Sequence, residues 1–303
     1  MKIEFLINDR GELYDFKTSE EEEKIEEFRI PSIVNGVKVE SIGDLRDTFR
    51  NLYAHGVKQI KKLIIENGVE KIEEYAFARI KIGIGTFHWP KTCLTISVGC
   101  FYNSNIECVK NVQDVIGICR KAFQCSGLRS ITWPPKCKRI PDSCFAWSTI
   151  ETLIGIENVE KSEFDAFYCT QLKRFSWPAK CKVIPEECFY GCQELEQIEG
   201  IEEVTNISSR AFQGTAIKKY LWPARVSATK NEEFLINCNH LEEIIFGGGG
   251  IKDVDLECLS YLKDVKKIDL SKCGAVNLIN CSSPKGRKLR DKVVLPYYVT
   301  EIN

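Results

Sequence analysis

The sequence predicts a β-rich solenoid, with a parallel β-sheet on one face and short 3-10 or irregular segments on the other. Three observations predict it. Trp-Pro pairs begin at Trp89, Trp133, Trp177 and Trp222, spaced 44, 44 and 45 residues apart. Phe77, Phe101, Phe123, Phe145, Phe167, Phe189, Phe212 and Phe234 follow one another at intervals of 22 to 24 residues. Cysteines keep the same frame: Cys93, Cys137 and Cys181 recur every 44 residues, as do Cys100, Cys144 and Cys188. A fixed period in this range is the signature of stacked units, each too small to bury its own core.

The unit is therefore 22 to 24 residues long and comes in two alternating flavours. One reads Leu128-x-x-Ile131-x-Trp133-Pro134-x-x-Cys137-x-x-Ile140-Pro141-x-x-Cys144-Phe145. The other reads Leu195-x-x-Ile198-x-Gly200-Ile201-x-x-Val204-x-x-Ile207-x-x-x-Ala211-Phe212. The fourth and sixth positions obey the two-residue period of a strand. Proline, which donates no ladder hydrogen bond, then ends that strand. The later apolar positions carry the chain back, and the Ala-Phe pair plugs the coil.

These units resemble the BspA-like class of leucine-rich repeats, whose consensus runs Leu-x-x-Ile-x-Ile-Pro-x-x-Val-x-x-Ile-x-x-x-Ala-Phe-x-x-Cys. Val204-x-x-Ile207-x-x-x-Ala211-Phe212 and Ala122-Phe123-Gln124-Cys125 match it closely, and Ile30-Pro31 through Asn35-Gly36 to Ile42-Gly43 looks like the family's usual first repeat. The resemblance spans about residues 28 to 270. It implies a leucine-rich-repeat solenoid of the α/β horseshoe class, and a protein that binds other proteins, often at a microbial surface. Tryptophans replace the family's small aliphatics, and the spacing loosens near Arg46 to Ile60 and after Phe246.

Two regularities run along the array. The residue after the leading Leu or Ile alternates in sign: Glu107, Arg129, Glu151, Lys173, Glu196, Lys218, Glu242. Adjacent parallel strands lie about 4.8 Å apart, so a surface ladder of ion pairs is expected, each worth on the order of 0.2–1 kcal/mol. Secondly, where one flavour has Trp133, Trp177 or Trp222, the other has Gly155 or Gly200, with Asn111 in the earliest case. This suggests large-against-small packing in the interior, in preference to an exposed aromatic stripe that could hold a glycan.

The ends depart from the period. Residues 1–27 read as a capping hairpin, with Phe5-Leu6-Ile7 and Leu13 to Phe16 as its strands, and Glu20 to Glu23, Glu26 and Glu27 as a solvated cap face. The solenoid takes 28–272, and 273–303 is a C-terminal cap or a truncated last repeat, with a basic loop at Pro284 to Arg290. Gly247 to Gly250 reads as a flexible, bulged break, with no Lys-Ser/Thr partner for phosphate binding.

Composition excludes several functions. With 42 basic and 43 acidic residues the chain is nearly neutral, so nothing suggests nucleic-acid binding. No apolar run reaches the length of a membrane span, and the N-terminal apolar stretch is too short for a signal peptide. The 15 cysteines include no Cys-x-x-Cys pair, and His55, His88 and His240 are far apart in sequence, so no metal site is expected. Cys93, Cys100, Cys119, Cys125, Cys137, Cys144, Cys169, Cys181, Cys188 and Cys192 fall on repeat positions and read as core thiols. That favours a cytoplasmic location, with the cell surface or secretion as the alternative if the chain is excised from a longer one. No nucleophile–base pair or cleft of paired carboxylates stands out, so neither catalysis nor a cofactor is expected.

A curved surface is left to carry the function. Side chains pointing out of the sheet vary without disturbing the core, and those assigned to a partner protein are Lys62, His88, Lys110, Arg129, Thr132, Arg174, Gln197, Glu199, Lys219 and Glu243. The expected role is a monomeric, non-catalytic protein–protein interaction module, adhesin-like or effector-like. The alternatives are an intracellular scaffold or a carbohydrate-recognising repeat protein.

Overall fold

The computed structural model describes residues 3–18, 23–229, 233–262 and 264–302, so Glu20 to Glu22 of the expected cap face lie outside the described residues. The chain divides into two compact units, Met1–Asn158 and Val159–Asn303. Each is a parallel β-solenoid, as the periods require.

In the first unit the strands Lys24–Ile30, Gln59–Ile65, Gly83–His88 and Val109–Lys110 form one parallel sheet. Ser130–Thr132 and Thr152–Ile154 form a parallel pair beyond it. The Leu-x-x-Ile-x-Trp pattern accounts for this directly. Ile84, Phe87 and Trp89, like Leu128, Ile131 and Trp133, point inward and are buried, while the residues between them face out. In the second unit Arg174–Ser176 pairs with Gln197–Glu199. Lys219–Trp222, Glu243–Phe246, Lys267–Asp269 and Val293–Val294 form a four-stranded sheet.

The return half of each coil is built on alternating backbone conformations. The residues that bracket each Ala-Phe pair are left-handed: Tyr75 and Arg79, Lys121 and Cys125, Asp165 and Cys169 all have φ between 53° and 60°. This bend lets the amides of Lys121, Phe123 and Cys125 donate to the carbonyls of Asp142, Cys144 and Ala146 on the next coil. The Gln124 N–H between them turns back to the Lys121 carbonyl. Backbone polar groups are thus satisfied without a helix. The phenylalanines so presented stack inside the coils. Phe77, Phe101, Phe123 and Phe145 are 5.9, 5.6 and 5.5 Å apart, centroid to centroid. Phe167, Phe189 and Phe212 follow at 5.3 and 5.5 Å.

Three residues beyond each phenylalanine sits a small buried polar group: Ser104, Ser126, Ser148, Thr170, Cys192 and Thr215. Ser104 and Ser126 donate to the carbonyls of Phe101 and Phe123 at 2.8 and 2.7 Å. The Cys192 thiol reaches the Phe167 carbonyl at 3.0 Å. All 15 cysteines are free thiols. Seven of the ten read as core are buried, while Cys119, Cys125 and Cys169 are only half-buried.

The four tryptophans of the Trp-Pro pairs are interior. Trp89, Trp133, Trp177 and Trp222 are at most 3% exposed, and each indole N–H donates to the carbonyl four residues on, at 2.8 to 3.0 Å. The row that could have offered a glycan stripe is therefore core. The glycine opposite each has a different role from the one its size suggests. Gly155 and Gly200 have φ of 81° and 76°, and what a Cβ there would meet is the carbonyl oxygen of Trp133 or Trp177, at 3.1 and 2.6 Å. Asn111, in the same place, has φ 65°. Backbone conformation, not indole volume, selects these residues; the indoles pack instead on Phe145 and Phe189 of their own coils, at 5.9 Å.

Other departures have equally local causes. The loosely spaced stretch holds an α-helix, Arg46–Ala54, whose Phe49 packs on Phe16, Phe28 and Phe77 and takes the place of an Ala-Phe plug. Ile3–Ile7 and Glu12–Thr18 form an antiparallel hairpin, and the second of these strands adds to Ser41–Ile42. Glu26 and Glu27 are engaged by Lys61 and Lys62 at 2.6 and 3.1 Å. At Gly250 a Cβ would lie 2.4 Å from the Ala224 carbonyl, so this glycine marks close approach of coils and not slack chain. Val299–Ile302 continues a parallel sheet with Val276–Ile279 and Asp253–Asp255.

Candidate binding face

The outward residues of the strands form two rows in each unit. In the first unit one row is Lys62, Thr86, Cys108, Ser130 and Thr152, and the other is Ile64, His88, Lys110, Thr132 and Ile154. In the second unit the rows begin with Arg174 and Gln197, and with Ser176 and Glu199. Lys219, Glu243 and Lys267 are in register on its four-stranded sheet.

Ion pairing divides these residues into occupied and available ones. Lys62 is held by Glu27 at 3.1 Å, and Glu27 also takes Arg29. Glu243 lies between Lys219 and Lys267, at 2.9 Å from each, and Lys267 reaches Asp269 at 2.8 Å. Gln197 donates to Glu199. Arg129 stands one residue ahead of its strand, on the rim, and meets Glu151 at 3.7 Å. Among the described residues neither Lys110 nor Arg174 has a carboxylate partner.

The expected ladder of ion pairs is mostly not formed among the described residues: its members are linked through the backbone, where Arg129, Glu151, Glu196 and Glu242 donate to the carbonyls of Glu107, Arg129, Lys173 and Lys218. Its side chains close as contacts at Arg129–Glu151 and at Glu242–Lys266, 2.7 Å, whereas Lys173 reaches Glu194. All are exposed, which keeps each contribution small.

The Lys267 network is the better-placed one, because Glu243 and Asp269 are mostly covered. The hydrogen bond from Lys267 holds the Asp269 carboxyl down at about 2. Lys267 and Lys219 likewise lower Glu243. A depressed folded-state value gives stability that is present above the unfolded value, about 4, and lost as pH falls through the folded one. Urea unfolding should therefore show the second unit weakening between about pH 4 and pH 2, by on the order of 1 kcal/mol. Asp269→Asn should flatten that slope, and an unchanged slope would rule the network out.

Over the last three strands of the first unit's face lies a groove of about 470 Å³, lined by Lys110, Asn111, Thr132, Thr152 and Ile154 over Cys108. Ile154 is 56% exposed, an apolar side chain at the end of a row whose three preceding members are polar. His88, half-buried on the strand before the groove, contacts Asn111 at 3.5 Å. Burial first, then the charges of Lys62 and Lys110, lower its pKa, so its imidazole favours the neutral form. The structure thus brings Lys110 and Thr132 into one groove, with His88 beside Lys110 on the neighbouring strand. The sequence reading missed Cys108, Asn111 and Ile154 there, and Lys267 and Asp269 in the second unit. Lys267 was findable, since it stands 24 residues after Glu243.

Burial pushes the thiols of Cys100, Cys144 and Cys188 well above their usual range. Among the described residues no group of three His, Cys, Asp or Glu side chains could hold a metal ion. No helix there is long and apolar enough to cross a membrane.

Stacked coils of this length and pattern are also what the family models detect: the BspA type leucine rich repeat region matches residues 50–171 and 163–281, in six copies. The chain belongs to this family. BspA-type leucine-rich repeat proteins are generally protein-interaction or surface-type repeat proteins and typically non-catalytic. No curated protein matches the sequence at a significant level. Among solved structures, a leucine-rich repeat protein from Bacteroides ovatus is similar at a TM-score of 0.64 and 18% identity, over 100% of this chain and 89% of that one. A leucine rich cell surface protein from Faecalibacterium prausnitzii gives a TM-score of 0.51 at 17% identity, over 99% and 93%. At these identities the likeness is one of fold.

Proposed function

We propose that this BspA-type repeat protein is a non-catalytic module, acting as a monomer, that binds a partner protein through the sheet face of its solenoid. The observation that carries the reading is the groove at Lys110, Thr132 and Ile154. It combines an unpaired cation, hydroxyl groups and an exposed aliphatic side chain on a rigid sheet, where a pre-formed site costs little ordering entropy on binding. Most other charges of the face already neutralise one another. Those pairs set the shape and polarity of the surface more than its affinity.

Two settings suit such a module. The cell-surface name of the Faecalibacterium prausnitzii protein supports an adhesin-like role. The 15 free thiols support an intracellular scaffold. Both bind protein, so one experiment tests them together. The chain is immobilised and exposed to cell-surface extract and to cytosolic lysate, beside Lys110→Glu and Arg174→Glu versions. A specific partner should be retained by the wild type and lost, by about tenfold or more, in one of the two variants. Absence of any specific partner from both extracts would remove the binding-module reading.

A further inference from the structure

The sheet of the first unit is not continuous, and the interruption is where the groove lies. Gly83–His88 pairs with Val109–Lys110, and Ser130–Thr132 pairs with Thr152–Ile154. Between Val109–Lys110 and Ser130–Thr132 only the bridge of Cys108 with Ser130 remains. The cause is Asn111. Its left-handed backbone, φ 65°, swings the chain out of the extended conformation before the ladder to Thr132 can form. Earlier in the same sheet Ile30 and Ile65 hold that position, and the ladder runs on through Gln59–Ile65 to Gly83–His88. Ending a strand in a left-handed residue therefore opens a seam, and here the seam is lined from both sides, by Lys110 and Asn111 on one and Thr132 on the other.

We infer that this seam is a recognition groove for an extended acidic peptide segment, with a carboxylate seated at Lys110 and an aliphatic side chain against Ile154. The inference rests on the protein-binding reading above and names the chemistry of the partner. Charge decides the sign. Lys110 is exposed and has no carboxylate partner among the described residues, and its neighbours His88 and Lys62 add no negative charge. A cationic segment would be repelled and an acidic one drawn in. A nucleic acid or another polyanion fits less well, because its affinity comes from many neutralised charges, and among the described residues Lys110 is the one cation that lines the groove.

Shape and polarity decide the rest. The lining runs from Lys110 past Thr132 to Ile154, three coils and two inter-strand steps, or about 10 Å. Residues two positions apart in an extended segment stand about 7 Å apart, and the reach of their side chains covers the remainder. The hydroxyls of Thr132 and Thr152 both donate and accept, so they can satisfy the peptide groups of a bound chain between its two anchors. Ile154, above a floor of buried Val109, Ile131 and Val112, gives an aliphatic side chain apolar surface to cover. The occupant is then a short segment in which Asp or Glu stands two positions from Leu, Ile or Val, which places both side chains on one face of the strand.

A phage-displayed library of random nonapeptides, selected on the full chain, tests this. Selected sequences should be enriched in Asp or Glu two positions from an aliphatic residue. By fluorescence anisotropy a labelled selected peptide should bind Lys110→Glu and Ile154→Asp at least about tenfold more weakly. Its charge-reversed twin, with Lys for each acid, should recover binding to Lys110→Glu. Both substitutions are on exposed side chains, and an unchanged thermal transition will show that each variant is folded. No enrichment, enrichment in acids alone, or binding unaffected by both substitutions would overturn the inference. If a partner protein is lost on Arg174→Glu but not on Lys110→Glu, the binding module survives and the groove does not.

Discussion

Replacing Phe123 with alanine is expected to lower the stability of the first unit by about 3–5 kcal/mol. The side chain is fully buried and lies between two parallel rings, 5.6 Å from Phe101 and 5.5 Å from Phe145. Its loss leaves a cavity that neither neighbour can fill, because the hydrogen bonds of Phe101 and Phe123 to the following coils fix the spacing. A solenoid owes its stability to contacts between successive coils, so a single truncation weakens two interfaces at once. Chemical denaturation followed by circular dichroism measures the effect. Phe123→Leu, which keeps most of the volume, should cost clearly less, and a loss below about 1 kcal/mol for alanine would mean that the stack is not a main source of stability.

Gly200→Ala should be nearly as damaging to the second unit, at about 2–4 kcal/mol. Two costs combine there. The backbone is left-handed, and the new Cβ would stand 2.6 Å from the Trp177 carbonyl oxygen, which belongs to the chain itself and cannot rotate away. Gly36 separates the two contributions. It has the same sign of φ, 81°, with nothing within 4 Å of a Cβ, so Gly36→Ala should show the conformational cost alone, about 1 kcal/mol. Equal losses at the two sites would show that the close approach to Trp177 contributes nothing.

The array itself was readable because its core residues repeat at constant spacing and their burial depends only on that spacing. Phe101, Phe123 and Trp133 lie where their periods put them. The helix at Arg46–Ala54 was not readable in this way. Phe49 reaches the core from a helix and so falls outside the frame in which the other phenylalanines were recognised. Gly155 and Gly200 were found as a pattern and given the wrong cause, since a sequence shows the size of a side chain but not the sign of φ.

The candidate site was half legible. Two-residue alternation places Lys110 and Thr132 on the outer face. It says nothing of which charges are already neutralised, because Lys62 meets Glu27 across 35 positions of chain. Ile154 was missed because an aliphatic residue in a strand looks like core until its neighbours are seen to point the other way.

The interrupted pairing has a consequence for how such a chain can change length. A coil ending in Trp-Pro is extended and pairs with the coil after it, while a coil ending in Asn111 or Gly200 closes the pair and leaves a seam. Removing one coil would set two closing coils, or two tryptophan coils, side by side and leave a ladder without its complement. Removing both restores every neighbour relation. The indivisible step for insertion, deletion or duplication is therefore the 44-residue couple marked by successive tryptophans. Each step of growth by that couple also adds one more opening on the outer face, in which a different pair of side chains could be displayed.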